Sequence, residues 1–180
     1  IAGETGLRVA ALAEAAVVDG AVAVVVLAVT DLGLRHADGA AAAADGRDEV
    51  LTATRETLRY GATQIKAHAG GGAATAYDPL DVSQYTLDEL KAAVEAADDW
   101  NTYVTVHAYN VRSVRRAVDA GVKCIEHGQL LDEATIKLLA DKGVFLSLQA
   151  LDPAPAWQPA SIREKKDEVI GKVVKSEDIP

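Results

Sequence analysis

Three polar residues close short apolar runs in the same way. Lys66 follows Gln64-Ile65, His107 follows Val104-Thr105-Val106, and His127 follows Cys124-Ile125-Glu126. The two histidines are 20 residues apart, the length of one strand-plus-helix unit, so adjacent parallel strands are expected to end in imidazoles at the same level. In a closed barrel of parallel strands, active sites sit at the C-terminal strand ends. Two imidazoles converging there can hold a divalent ion at about 2.0–2.1 Å. A lone strand-end histidine is by type an ordinary hydrogen-bonding residue, and Lys66 on its own reads as a lysine snorkelling at a sheet edge. The pair in step on consecutive strands is what brings a metal site into contention, and spacing carries the reading no further.

The elements that must position these residues are legible after residue 45. Asp48 to Tyr60 reads as a helix stopping at Gly61, since glycine just past the last turn is the usual C-terminal stop. Residues 63–67 then read as a strand. The loop from Gly70 to Gln84 follows, with three consecutive glycines and a Tyr77-Asp78-Pro79 turn signal. Thr86-Leu87-Asp88-Glu89 is a capping box opening a helix through Asp99. Asn110 and Asp132 cap further helices ending at Gly121 and Gly143, and strands are expected at 103–107, 122–126 and 144–148. In the first half, Leu7–Val18 reads as a helix, Val22–Val29 as a buried strand and the alanine run 40–44 as loop. Strands alternating with helices of this length predict α/β architecture: a partial or complete (β/α)8 TIM-type barrel with parallel strands, or an open doubly wound sheet. Gly70-Gly71-Gly72 lacks the G-x-G-x-x-G spacing, which weakens a dinucleotide fold. The barrel segment is expected over 1–150, with 151–180 forming a Pro-rich loop and terminal helix of the same domain.

Composition sets the outer bounds. The chain has 180 residues, 49% of them apolar but only 4% aromatic, so alanine and valine must build the core. Its net charge of −9 disfavours nucleic acid and anionic membrane surfaces as partners. The single cysteine, Cys124, excludes an internal disulfide, and no apolar run reaches membrane-spanning length. The expectation is a cytoplasmic protein acting on a small molecule. The absence of Met leaves a fragment, a processed form or an edited sequence open.

Four motifs in order resemble the amidohydrolase superfamily. They are Gln64-Ile65-Lys66 with its glycine-rich loop, Tyr77-Asp78-Pro79 with Gln84-Tyr85-Thr86, Val106-His107-Ala108-Tyr109, and Ile125-Glu126-His127-Gly128. The nearest branch is the Xaa-Pro dipeptidase and imidazolonepropionase-like group. The resemblance runs from about Thr5 to Leu148 and covers the middle strands of that family's barrel. It implies a metal-dependent hydrolase that cleaves an amide or peptide-like C–N bond through a metal-bound hydroxide. It further implies that Lys66 is carboxylated and bridges two metal ions, that His107 and His127 bind the second ion, and that Tyr109 faces the substrate. His36, in Leu34-Arg35-His36-Ala37, falls where the family has a pocket-lining histidine. A carbamate requires a neutral amine, which burial favours. Zinc suits imidazole and oxygen ligands, with manganese or cobalt as alternatives.

Departures from the family pattern keep rivals open. The four histidines are 36, 68, 107 and 127, so the family's His-x-His pair is absent, and nothing after Leu148 resembles the last strand with its aspartate ligand. A catalytically incomplete barrel fragment acting as a scaffold is therefore a rival, and a phosphotriester hydrolase of the same superfamily differs only in substrate. A partial barrel leaves open strand edges, so self-association into a homo-oligomer is expected. His68 shares a strand face with Lys66 and is read as a solvated loop histidine, with a compensating ligand as the alternative. Glu126 is expected to point away from His127 toward a helix, and Lys165-Lys166 to be a solvated face.

Overall fold

Caps and stops divide the chain into repeating units. The structure, a computed structural model, describes residues 23–24, 42–74, 78–148 and 159–174. Strands β1 (Ala23–Val24) and β2 (Ala42–Ala43) form a short antiparallel ladder. Then follow α1 (Arg47–Arg59), β3 (Ile65–His68), α2 (Leu87–Asp99), β4 (Val104–Asn110), α3 (Val111–Ala120), β5 (Cys124–Leu130), α4 (Glu133–Lys142), β6 (Phe145–Ser147) and α5 (Ala160–Val174). The expected helix at 7–18, His36 and Tyr77 lie outside the described residues. So does most of the expected strand 22–29. The alanine run, expected as loop, contributes β2.

Each boundary has a local cause. Thr86 accepts from the Glu89 backbone while the Glu89 carboxylate accepts from the Thr86 backbone, which closes the capping box on α2. Asn110 and Asp132 accept from the N–H groups of Ser113 and Thr135 at the starts of α3 and α4. Gly121 and Gly143 end those helices in the left-handed region, with φ of 98° and 64°, where a Cβ is unfavourable.

The four strands β3-β4-β5-β6 lie side by side in sequence order, all parallel. One face packs beneath α1, α2 and α3. Ile65, Ala67, Val104, Val106, Ala108 and Ile125 are buried there with Leu90, Ala93, Ala97, Val114 and Ala117. Alanine at these contacts lets helix backbones come close, which explains how a core forms with so few aromatics. The other face carries the polar residues of β3, β4 and β5.

The β4–β5 register is irregular. Ala108 pairs with His127 but Asn110 pairs with Leu130, so β5 holds one extra residue between these two points. This is a β-bulge, a feature that re-aims side chains next to functional sites.

Candidate active site

Period-two alternation places Lys66 and His68 of β3, Thr105, His107 and Tyr109 of β4, and Glu126 of β5 on the sheet face away from α1–α3. The register fixes their levels. His68 pairs with His107, and His107 pairs with Glu126. His107 and His127 are therefore offset by one residue rather than level as the 20-residue spacing predicted. The residue level with His107 on β3 is His68.

His127 reaches the same cluster by another route. Strict alternation puts it opposite Glu126, but its φ is 79° and that of Gly128 is 63°. This bulged backbone breaks the alternation, and the His127 ring comes to 4.4 Å from that of His107, edge to face. A left-handed φ on a non-glycine residue costs about 1–3 kcal/mol and is retained mostly at functional positions. At Gly128 the left-handed φ strains any residue with a side chain, and a Cβ would also press on a Leu146 methyl at 2.6 Å.

The rings form a continuous chain. His68 stacks on His107 at 4.6 Å, and Tyr109 lies nearly parallel to His127 at 4.9 Å. His68 ends β3 and is half-buried, which corrects the expectation of a solvated loop residue. Burial, then the neighbouring His107 and Lys66, push its ring down to about 3. Burial and the adjacent His127 push His107 down to about 4, against the opposing effect of its Gly71 hydrogen bond. Burial raises Tyr109 to about 12. At neutral pH, His68 and His107 are thus uncharged and Tyr109 is a phenol.

His107 has a defined tautomer. Its Nε2 lies 3.0 Å from the Gly71 carbonyl oxygen. A carbonyl only accepts, so Nε2 carries the proton and the neutral ring keeps its lone pair on Nδ1.

Lys66 donates to Glu126, whose other oxygen accepts from the Thr105 hydroxyl at 2.9 Å. Glu126 therefore faces Lys66 across the sheet and not a helix. Burial alone would raise its carboxyl, but the Lys66 hydrogen bond and charge, with Thr105, hold it below the usual range. The amine expected to carry a carbamate is engaged by this carboxylate, and a carbamate there requires that pair to open.

Two further residues were missed. Lys165, expected on a solvated face, donates to the backbone carbonyls of Gly72 (3.2 Å) and Asp78. Val169 on the same helix is fully buried with Ala73, Leu80 and Tyr109. No local pattern marks Lys165, because its partners lie about 90 residues away. Glu126 carried a signal, alternation on the same strand as His127, but the bulge that defeats alternation is invisible in sequence.

Imidazoles match in type the donors a divalent ion takes, and burial keeps His107 neutral. His107 and His127 are the residues here that would hold one, with Lys66 joining once freed from Glu126. Among the described residues, no three His, Cys, Asp or Glu side chains gather so as to hold a metal ion. Among them, too, no helix is long and apolar enough to cross a membrane.

The chain is similar to known proteins in sequence and in fold. Ochratoxinase of Aspergillus niger is 36% identical over 102 residues, 57% of this chain and 21% of that protein. A prolidase solved in complex with N-methylphosphonate-L-proline superposes with a TM-score of 0.71 at 40% identity, over 78% of this chain and 36% of that one. A Xaa-Pro dipeptidase with methionine bound in its active site gives 0.64 at 27% identity, over 73% and 34%. The chain thus spans about a fifth of the length of ochratoxinase and about a third of each of these solved structures. The family model for the Amidohydrolase family matches residues 3–179. With that match over nearly its whole length, and with four parallel strands forming a sector of a (β/α) barrel, the chain belongs to the Amidohydrolase family.

Proposed function

We propose that this chain is part of a metal-dependent hydrolase cleaving an amide or peptide-like C–N bond of a small molecule, with a dipeptide ending in proline as the first substrate class to try. The observation that carries the reading is the convergence of His107, His127 and Tyr109 from the middle and C-terminal parts of β4 and β5 in a member of this family. The prolidase and Xaa-Pro dipeptidase neighbours favour a C–N bond over a phosphotriester. His107 and His127 would hold a divalent ion, zinc before manganese or cobalt, which would supply Lewis acidity toward a scissile carbonyl.

The chain's own residues do the rest. His107 offers Nδ1 because Gly71 takes its Nε2–H. Tyr109, kept protonated by burial, is a hydrogen-bond donor for a substrate oxygen. Lys66 would carry a carbamate as a further metal ligand, and Glu126 is the group that would have to release it. His36 is assigned to substrate binding by its motif position alone. The remaining ligands come from sequence outside this chain or from a second copy. The edges of β3 and β6 are without a strand partner among the described residues, which supports a homo-oligomer. A cytoplasmic location belongs to the same proposal, supported by the single cysteine.

The test is metal per chain by elemental analysis on protein purified without chelators and then supplied with zinc. Zinc should be retained, proline should be released from an Xaa-Pro dipeptide, and His107→Ala should abolish both. A folded sample that retains no zinc overturns the reading. It would favour the scaffold alternative, which rests on the lack of a three-ligand cluster among the described residues.

A further inference from the structure

The Gly71 carbonyl that meets His107 sits in a short stretch held from two directions. From the sheet, the N–H groups of Ala69 and Gly70 both donate to the His107 carbonyl, at 3.0 and 3.1 Å. At Gly71 a Cβ would lie 1.7 Å from the Pro79 carbonyl oxygen, so the two arms of the loop touch backbone to backbone. From the opposite side comes α5. Its Lys165 ammonium donates to the carbonyls of Gly72 and Asp78, one on each arm. The Asp78 carboxylate in turn accepts from Gln84 Nε2 at 2.7 Å, and Val169 anchors the helix beside Tyr109.

A carbonyl dipole is only as well aimed as the backbone that carries it. Gly71 has no side chain to fix it, and its peptide neighbour Gly72 has none either. Two carbonyls converging on one region repel unless a cation lies between them, and Lys165 is the cation that joins Gly72 to Asp78. We propose that Lys165 is a positioning residue for His107: by drawing the Gly72 and Asp78 carbonyls onto one ammonium, it holds the Gly71 carbonyl against His107 Nε2 and so decides which ring nitrogen keeps its lone pair. An outer partner that orients an imidazole in this way governs how well the ring can act as a ligand or base. The inference rests on the reading of His107 as the working imidazole. It is measured as a tautomer, without turnover or metal, so a His107 pattern unchanged in Lys165→Met overturns the inference and leaves that reading standing.

The experiment is ring-nitrogen NMR on the full chain labelled with 15N-histidine. In the wild-type chain His107 should show a single Nε2–H tautomer. In Lys165→Met, which keeps the aliphatic stem but loses the donors, that single species should give way to a mixture of tautomers. Lys165→Arg, which restores donors to both carbonyls, should bring it back. A wild-type ring protonated at Nδ1, or a His107 pattern unchanged in Lys165→Met, overturns the proposal. Should Lys165→Met fail to fold, hydrogen exchange on the wild-type chain decides instead. The Gly70 amide and the backbone amides of α5 should exchange in one common opening. A Gly70 amide that stays protected while α5 exchanges freely overturns the proposal.

Discussion

The two faces of the parallel sheet divide the labour of the molecule along every strand. On β4, Val104, Val106 and Ala108 point to the helices and are essentially inaccessible to solvent, while Thr105, His107 and Tyr109 point the other way. On β3 the split is Ile65 and Ala67 against Lys66 and His68, and on β5 it is Ile125 against Glu126. Consecutive residues a few ångströms apart in the chain thus belong to different problems. The helix-covered face is dry and locally consistent, and its residues can be exchanged only for others of similar volume. The opposite face concentrates imidazoles, an ion pair, a bulge and a left-handed residue. Each of those features costs stability that the first face must supply.

The largest expected effect tests that division directly. Ile125→Ala removes a fully buried side chain and should cost about 2–5 kcal/mol, while leaving the ring cluster intact. His107→Ala, from the neighbouring strand but the other face, should cost about 1 kcal/mol or less and remove zinc binding. Urea midpoints for the two variants check this. Equal losses of stability would mean that the faces are not energetically distinct.

A smaller effect is expected at the Lys66–Glu126 ion pair of the polar face, whose members are both shielded, with 14% and 23% side-chain exposure. Lys66→Met leaves the Glu126 carboxylate with Thr105 alone. Fully buried pairs lose about 3–5 kcal/mol when one partner goes, and the residual exposure here brings the expectation to about 2 kcal/mol. Replacing both, Lys66→Met with Glu126→Leu, should recover most of that loss, because no charge is then left without its partner. A double variant as destabilised as the sum of the singles would show that the two residues act independently.

What could be read beforehand follows the same division. The dry face was legible because its causes are local: capping residues Thr86, Asn110 and Asp132, glycine stops at 121 and 143, and apolar strands at the right intervals. The polar face was half legible. Lys66, His107 and His127 were visible as residue types closing apolar runs, Tyr109 only through the family resemblance, and the rings of His107, His127 and Tyr109 do converge. Their levels were not visible, because register is set by pairing between strands and by the extra residue after His127. His68 and Glu126 were assigned to solvent and to a helix for that reason. Lys165 escaped because its partners are carbonyls, which every residue has, at a distance no pattern encodes.

The smallest effect compares two carboxylates held below their usual range on opposite faces. Glu126 is held down chiefly by Lys66, against burial. Glu89 lies on the helix side and is held by hydroxyl and backbone donors. Burial would raise its carboxyl, but the Thr86 hydroxyl and the backbone N–H groups of Thr86 and Gly46 outweigh that effect. Gly46 is the N-cap of α1 and has no side chain to cap with, so a single carboxylate serves the starts of two helices. Since folding depresses this carboxyl, its contribution is fully present above the unfolded value of about 4.3 and is lost as pH falls through the lower folded value. Glu89→Gln should therefore cost about 1 kcal/mol at neutral pH. The gap to wild type should narrow once the wild-type carboxyl is protonated in acid, which urea midpoints at pH 7 and pH 2.5 will show. A gap of the same size at both values would assign the cost to the shape of the amide and remove charge from the account of how α1 and α2 are joined.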